Sequence, residues 1–177
     1  IIPRIHIISI LKLDDDAQTE LRELKTVIRN LHVAEGGHAC FIESSVSHRN
    51  MPHATIDCIP VEKGMEPEIR FSVRESLTDV NSEFAQNSKI YEITSEKPLR
   101  KLIPLHCEYV TCDWGNTNGN IMGLAAIISV EGGKDPVTGD LMLDILAGVL
   151  GEDCMRIRRG NKYVDKAGDT REVSRIR

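Results

Sequence analysis

Three polar side chains alternate with apolar ones in the first third of the chain: His53, Thr55 and Asp57. Successive side chains of a strand point to opposite faces, so these three would share one face of a sheet. A histidine, a hydroxyl and a carboxylate so placed could carry nucleophilic or acid-base chemistry. A threonine hydroxyl without an adjacent base is a poor nucleophile at neutral pH. Catalysis by this stretch would therefore have to use His53 with Asp57.

The cysteines are scattered along the chain without the spacing of a disulfide framework, and their number, five, is odd. This pattern favours a reducing compartment, cytosol or nucleus, over a disulfide-stapled secreted domain. His106 beside Cys107, with Cys112 further on, suggests a metal site, but no second pair of ligands accompanies them. Cys40 and Cys58 fall in strand-like stretches, where a free cysteine usually behaves as a small buried hydrophobe.

A dense basic run lies near the end of the chain: Arg156, Arg158, Arg159 and Lys162. Residues 154–177 contain eight basic and three acidic residues, a net charge of +5, whereas the rest of the chain has a net charge of −10. Clustered Lys and Arg act mainly by neutralising phosphates, which predicts a contact with nucleic acid or an acidic partner. Because aromatic residues do not alternate with the basic residues of this run, the contact would be to the phosphate backbone of the nucleic acid rather than to its bases. A solvated surface tail is the alternative.

The elements that must position these residues begin with a strand-like stretch, Ile1–Ser9. Apolar residues at helical spacing, preceded by capping carboxylates, then predict an amphipathic helix over Ala17–Leu31. Its apolar face would comprise Leu21, Leu24, Ile28 and Leu31. Two strands with alternating faces follow, His38–Val46 and His53–Pro60. A helix covering one face of an antiparallel sheet makes residues 1–61 an α+β unit.

Residues 62–177 are expected to form a second, smaller α+β segment with a basic tail from about residue 154. It opens with a linker over Lys63–Pro67. Phe71–Phe84 then mixes apolar and charged residues in a pattern that predicts a helix, interrupted near Thr78 and Asp79. The fold class of the whole chain is therefore α+β.

The later part of this segment contains two strand patterns, Glu108–Trp114 and Ile121–Val130. Residues 116–120 between them predict a hairpin turn, because they lack the glycine spacing and the lysine of a phosphate-binding loop. A last helix is expected over Asp140–Leu150, with Asp140 as its cap and Gly151 as its end.

The composition bounds the class of protein. The chain has 177 residues, of which 41% are hydrophobic and 28% charged, which is typical of a globular protein with a real core. No apolar run approaches the roughly 20 residues of a membrane span. A strand pattern begins at the first residue, without an initiator Met or a signal peptide, so we expect the natural start to lie upstream.

One family resemblance is carried by the stretch Ile2-Pro3-Arg4-Ile5-His6 and by the strand that opens with His53. It is similar to the histidine-triad (HIT) superfamily, in which an "IP..H" strand precedes a strand of three alternating histidines. Here only His53 keeps a histidine, while Thr55 stands at the nucleophile's position and Asp57 stands third. The resemblance implies a HIT-like antiparallel sheet with a crossing helix, in which HIT catalysis has been lost.

A second resemblance runs in order along most of the chain. The stretch Asn50–Pro60 resembles the "H..xECIP" stretch of the CwfJ family of splicing factors, and Glu43 resembles that family's "F.E" strand. Further similar stretches are residues 71–77, 83–84, 99–104, 109–115 and 145–151. Residues 131–139 depart from the pattern, as an insertion would. The chain is identified as a C-terminal region of a CwfJ-family protein, with residues 1–61 as a first, N-terminally truncated segment and 62–177 as the second.

The CwfJ resemblance implies a non-catalytic role in pre-mRNA splicing in the nucleus, in late or intron-lariat complexes. The implied partners are spliceosomal proteins and the phosphate backbone of intron RNA or small nuclear RNA, which the basic run at residues 156–162 would contact. No membrane partner is expected. Two alternatives stay open: a HIT-type nucleotide hydrolase or transferase with a degenerate triad, and a HIT-like interaction module unrelated to RNA.

The HIT resemblance also implies a possible zinc ion. Several HIT-like proteins hold zinc with an upstream Cys-x-x-Cys, the histidine of the "IP..H" strand and the first triad histidine. The corresponding histidines here are His6 and His53. The cysteine pair is absent from this sequence, and a structural zinc needs four ligands, so the remaining ligands would have to lie upstream. The alternative for each histidine is an ordinary hydrogen-bonded side chain.

Overall fold

A computed structural model describes residues 1–46, 53–84, 89–115, 120–128 and 140–151. A short 3₁₀ turn at Ile10–Lys12 precedes five strands and four helices in these ranges. In chain order they are α1 (Asp15–Ala34), β1 (Gly37–Ser45), β2 (Ile56–Glu62), α2 (Glu66–Phe84), β3 (Ile90–Thr94), α3 (Leu99–Leu102), β4 (Tyr109–Asp113), β5 (Met122–Ile127) and α4 (Leu141–Leu150). The predicted α+β class is confirmed.

The five strands form one antiparallel sheet in the order β2-β1-β4-β5-β3. Strands from both predicted segments are therefore hydrogen bonded in one sheet, and the link between them is the pairing of β1 with β4. In that pairing Phe41 lies opposite Asp113 and Glu43 lies opposite Thr111. The division at residue 61, which falls inside β2, stays a prediction about sequence segments.

Helices cover both faces of the sheet. α1 covers one face, where Leu21 packs with Phe41 and Ile56. On the other face α2 and α4 cover a larger core that includes Ile42 and Val73. The alternation predicted for β1 is confirmed, because neighbouring residues enter opposite cores. None of the helices in the described ranges is long and apolar enough to cross a membrane.

The buried face of α1 differs from the predicted one. Asp14 caps the helix by accepting from Ala17 N–H at 2.8 Å, as expected. Leu24 and Leu31, however, are 41% and 59% exposed, whereas Arg29 is only 3% exposed. The helix is rotated because Arg29 reaches a carboxylate on the sheet, that of Asp113. The ion pair thus affects the orientation of α1 more than the apolar periodicity does. The periodicity alone does not reveal the ion pair.

The segment Ile1–Ser9 is irregular, so the predicted first strand was wrong. It nevertheless lies along the approach to β2, because Ile7 O accepts from Ala54 N–H at 2.7 Å and Ile1 O accepts from Ile56 N–H at 2.9 Å. Pro3 has no N–H to donate to a ladder, and the chain bends just after it, at Arg4 and Ile5.

The boundaries of further helices and strands differ from the predicted ones. The helix that follows β2 begins at Glu66, inside the predicted linker, and continues without interruption through Thr78, whose hydroxyl donates to Arg74 O at 2.8 Å. β2 begins at Ile56 instead of His53. The strands β4 and β5 and the helix α4 with its left-handed Gly151 agree with the predictions. β3 and α3 were not predicted.

We expect two glycines to respond oppositely to alanine. A Cβ at Gly123 would overlap the carbonyl oxygen of Cys112 across the β4–β5 pair, so Gly123→Ala should lower the free energy of unfolding by about 1–3 kcal/mol. Gly148 in α4 is exposed and has nothing within 4 Å of a Cβ, so Gly148→Ala should raise it by up to ~1 kcal/mol. Urea unfolding of the two variants measures both changes. Equal effects of the two substitutions would contradict the β4–β5 register.

Candidate functional site

The structure brings His6 and His53 together. Their ring centroids lie 5.1 Å apart with the rings nearly perpendicular. His6 belongs to the irregular N-terminal segment and is exposed, whereas His53 precedes β2 and is partly buried. The backbone hydrogen bond between Ile7 and Ala54 sets their spacing. Two residues far apart in sequence thus form one small imidazole pair at the sheet edge.

This pair fits two ligands of a tetrahedral metal ion. Zinc binds imidazole nitrogens at about 2.0–2.1 Å, which places the centroids of two bound rings roughly 5 Å apart. His53 Nδ1 lies 3.1 Å from Ala54 O. An Nδ1–H donor there would leave Nε2 for a metal. No group of three or more His, Cys, Asp or Glu side chains that could hold a metal occurs in the described ranges. The same ring geometry also suits an edge-to-face packing contact.

The remaining positions of the triad stretch do not form a nucleophile with its base. Thr55 Oγ1 donates to the carbonyl oxygen of His53, at 3.4 Å. Asp57 is exposed on β2 and lies opposite Ile42 of β1. Thr55 thus directs its hydroxyl to the backbone, whereas an activated nucleophile would be hydrogen bonded to an imidazole or a carboxylate.

A buried hydrogen-bond network lies on the α1 face of the sheet. Glu43 Oε1 accepts from Ile10 N–H at 3.0 Å, and Glu43 Oε2 lies 2.6 Å from the Tyr109 hydroxyl. That hydroxyl is 2.8 Å from Ser9 Oγ, which in turn accepts from Leu11 N–H at 3.1 Å. Glu43 is 2% exposed and Tyr109 fully buried. Through this network, residues 9–11 are hydrogen bonded to β1 and β4 of the sheet.

Burial controls the protonation of this network. It raises the pKa of Glu43 from its ordinary 4.5 to about 7, although the hydrogen bonds from Tyr109 and Ile10 and the charge of Lys25 act in the opposite direction. Burial, and then the charge of Glu43, raise the pKa of Tyr109, so its hydroxyl stays protonated. When Glu43 is protonated, its own O–H can donate to Tyr109 while Tyr109 donates to Ser9, and every group keeps a partner.

A buried ion pair lies on the same face of the sheet. Asp113 accepts from Arg29 at 2.5 Å and from Lys25 at 3.1 Å, and Gly115 N–H donates to it at 3.0 Å. Both cations lie over the ring of Phe41, at 4.9 and 5.3 Å from its centroid. A Cβ at Gly115 would lie 2.6 Å from the Arg29 guanidinium carbon, so a larger residue there would have to displace the end of the Arg29 side chain.

The burial predicted for Cys40 is confirmed, whereas Cys58 is only partly buried. Cys40 is buried in the core under α2 and α4, as is Cys112. A hydrogen bond with Cys40, followed by burial, raises the pKa of Cys112, and burial raises that of Cys58. These two thiols therefore stay protonated and suit packing better than nucleophilic chemistry.

Several functional predictions concern residues that the structure does not describe. Arg156, Arg158, Arg159 and Lys162 lie outside the described residues, as do residues 116–119 and 129–139. Sequence reasoning in turn missed the roles of Ser9, Arg29, Tyr109 and Asp113. The available signals were a carboxylate beside apolar residues in each of two strands: Glu43 follows Phe41 and Ile42, and Asp113 lies between Cys112 and Trp114.

Comparison with known proteins decides the family. Residues 1–74 match a family described as "Protein similar to CwfJ C-terminal". The chain contains a CwfJ C-terminal region. It is 27% identical over 119 residues to a CWF19-like protein 2 homolog of Caenorhabditis elegans, which covers 67% of this chain and 25% of that protein. The predicted family is confirmed.

Two more relatives carry the same name. CWF19-like protein 2 of Homo sapiens is 24% identical over 119 residues, 67% of this chain and 13% of the relative. The Drosophila melanogaster homolog is 22% identical over 169 residues, 96% of this chain and 23% of the relative. The chain therefore spans a quarter or less of the length of these relatives, and the fly alignment extends the similarity well beyond residue 74.

We expect Glu43→Gln to remove a pH dependence of stability. Between pH 4.5 and about 7 the carboxyl is ionised in the unfolded chain but still protonated in the folded one. The folded state then binds more protons, so the free energy of unfolding should fall as the pH rises through this window, by at most about 3 kcal/mol. Glutamine mimics the protonated side chain and should flatten that slope.

Urea unfolding at several pH values measures the slope. The control is Glu23→Gln, which removes an exposed carboxylate of α1. An unchanged slope in Glu43→Gln would contradict a protonated Glu43.

Proposed function

We propose that this CwfJ region is a non-catalytic binding module of a splicing-related nuclear protein, acting in late or intron-lariat complexes. The observation that carries the proposal is the family match of residues 1–74 together with CWF19-like relatives that align beyond it. The chain spans only a part of those relatives, so the role is that of a module within a larger protein. Its partners would be spliceosomal proteins and RNA.

The absence of catalysis is inferred from the chemistry of the triad stretch. A HIT enzyme needs an imidazole at the position of Thr55, and a hydroxyl that donates to a backbone carbonyl is not activated for attack. The alternative is a residual nucleotide hydrolase or transferase that uses His53 with Asp57. Turnover of an adenosine 5'-phosphoramidate by the purified protein, lost in His53→Ala, would favour that alternative.

A zinc ion at the histidine pair is the second element of the proposal. His6 and His53 would supply two of the four ligands. Bound there, zinc would provide a structural cross-link with no redox chemistry. The link would tie the irregular N-terminal segment, which here depends on a few backbone hydrogen bonds, to the start of β2.

Contact with RNA is the third element, and it rests on the basic run at residues 156–162. The rest of the chain is acidic, with a net charge of −10, so RNA would be drawn to the tail and repelled elsewhere. Binding through phosphates would be independent of sequence and sensitive to salt. The competing proposal is a protein-interaction module without RNA affinity.

Elemental analysis tests the zinc site. We expect one zinc ion per chain in the full-length protein and its loss in a His6→Ala/His53→Ala variant, because two of four ligands would be gone. His106→Ala, which removes an exposed histidine elsewhere, should keep the metal. Equal zinc content in all three proteins, or none in any, would contradict a zinc site at this pair.

The salt dependence of RNA binding tests the tail. We expect single-stranded RNA to bind with an affinity that falls with salt. Replacing Arg156, Arg158, Arg159 and Lys162 by glutamine should reduce the slope of log K against log salt by roughly 0.7 for each lost phosphate contact. Fluorescence anisotropy measures both, with Arg70→Gln/Arg74→Gln on α2 as the control for lost charge. A salt-independent affinity, or a slope equally reduced in the control, would favour the module unrelated to RNA.

A further inference from the structure

A cavity of about 330 Å³ lies beside α1 on the same face of the sheet as Asp113. Its walls come from α1, from the 3₁₀ turn, from β4 and from the stretch that joins β3 to α3. The volume is at the lower end of the range for small-molecule sites, roughly 300–1,000 Å³. One wall belongs to the family-matched residues 1–74 and the other to residues 93–121. The histidine pair and Thr55 do not line it.

The charge of the cavity wall is positive. Arg22, Lys25, Arg29 and Arg100 line it, against two carboxylates, Asp15 and Asp113. Asp113 already binds Lys25 and Arg29, and Asp15 binds Arg100 at 2.6 Å. Arg22 donates to the hydroxyl of Thr19, at 3.2 Å, and is exposed. Four cations and two anions leave the wall with a net charge of +2 in the acidic part of the chain, which favours an anionic ligand.

Two residues that line the cavity each have a buried polar atom without a hydrogen-bond partner among the described residues: Arg29 Nε and Thr111 Oγ1. Arg29 is 3% and Thr111 5% exposed. Both atoms can donate a hydrogen bond, and a buried donor without an acceptor is costly. An anion carries several acceptor oxygens, so it supplies what these two donors lack. Orphaned donors and excess positive charge therefore point to the same kind of ligand.

The rest of the wall is apolar. It includes Ile10, Leu11, Leu21, Ile93 and Leu99. A free inorganic ion would leave this surface uncovered, whereas an organic group attached to the anion would bury it. The wall thus has a cationic part and an apolar part, which together suit a phosphorylated organic molecule.

We propose that this cavity binds a small phosphate monoester, with its phosphate against Arg22, Lys25, Arg29 and Thr111 and its organic group against the apolar wall. The dianionic phosphate matches the net charge of the wall, and its oxygens accept from ammonium, guanidinium and hydroxyl donors. The proposed site does not depend on a zinc ion, on RNA binding by the tail or on a role in splicing. Its test is therefore separate from the tests of those proposals.

Isothermal titration of the full chain tests the site, with phenyl phosphate as the probe for a monoester with an apolar group and inorganic phosphate as the probe for the bare ion. We expect saturable binding of phenyl phosphate at least about tenfold tighter than that of inorganic phosphate, since only the monoester covers both parts of the wall. Equal affinities would overturn the monoester assignment, and undetectable binding of phenyl phosphate would overturn the site.

Matched variants locate the binding. Arg22→Gln and Thr111→Val should each weaken phenyl phosphate by about tenfold, because each removes one donor to the phosphate. Thr111→Val keeps the side-chain shape and removes an unpaired hydroxyl, so its melting temperature should not fall. Arg70→Gln on α2 and His53→Ala at the sheet edge should leave the affinity unchanged. Equal weakening in Arg70→Gln, or loss of binding in His53→Ala, would place the ligand elsewhere and overturn the proposal.

Discussion

The antiparallel pairing of β1 with β4 is the constraint on which the rest of the structure depends. Its register sets Phe41 opposite Asp113 and Glu43 opposite Thr111, and so places two carboxylates on one face of the central sheet. Residues that lie opposite each other in an antiparallel pair share a face. The buried network, the ion pair with α1 and the cavity beside it are all assembled on that face. A slip of β4 by one residue would move Tyr109, Thr111 and Asp113 to the other core and so separate them from Glu43 and Arg29.

The two buried carboxylates are accommodated in different ways. Asp113 has two cations and a backbone N–H, and it holds α1 in an orientation that leaves Leu24 and Leu31 exposed. The donors to Glu43 in the described part of the chain, Ile10 N–H and the Tyr109 hydroxyl, are neutral, so burial dominates and favours the protonated form of Glu43. One carboxylate therefore orients a helix, and the other fastens the segment at residues 9–11.

Much of the fold could be predicted from sequence. The alternation of Cys40, Phe41 and Ile42 assigned β1 and both its faces, and Asp140 with Gly151 bounded α4, because these signals are local. The N-terminal strand was wrongly predicted, since Pro3 and the bends after it are incompatible with a regular ladder. Of the site, the sequence identified the two histidines as candidates but could not show that they meet, because their distance depends on a backbone hydrogen bond between Ile7 and Ala54.

The sequence by itself determined the resemblance to CwfJ C-terminal regions and the α+β class, because motifs and periodicity depend on residues that are neighbours in the chain. Only the tertiary structure decided which side of α1 is buried, which carboxylate is paired with cations and which donors lack a partner among the described residues. Those outcomes depend on pairs such as Arg29 with Asp113 and Glu43 with Tyr109, which lie 84 and 66 residues apart along the chain. Desolvation and ion pairing act through space, so no local pattern along the chain encodes them.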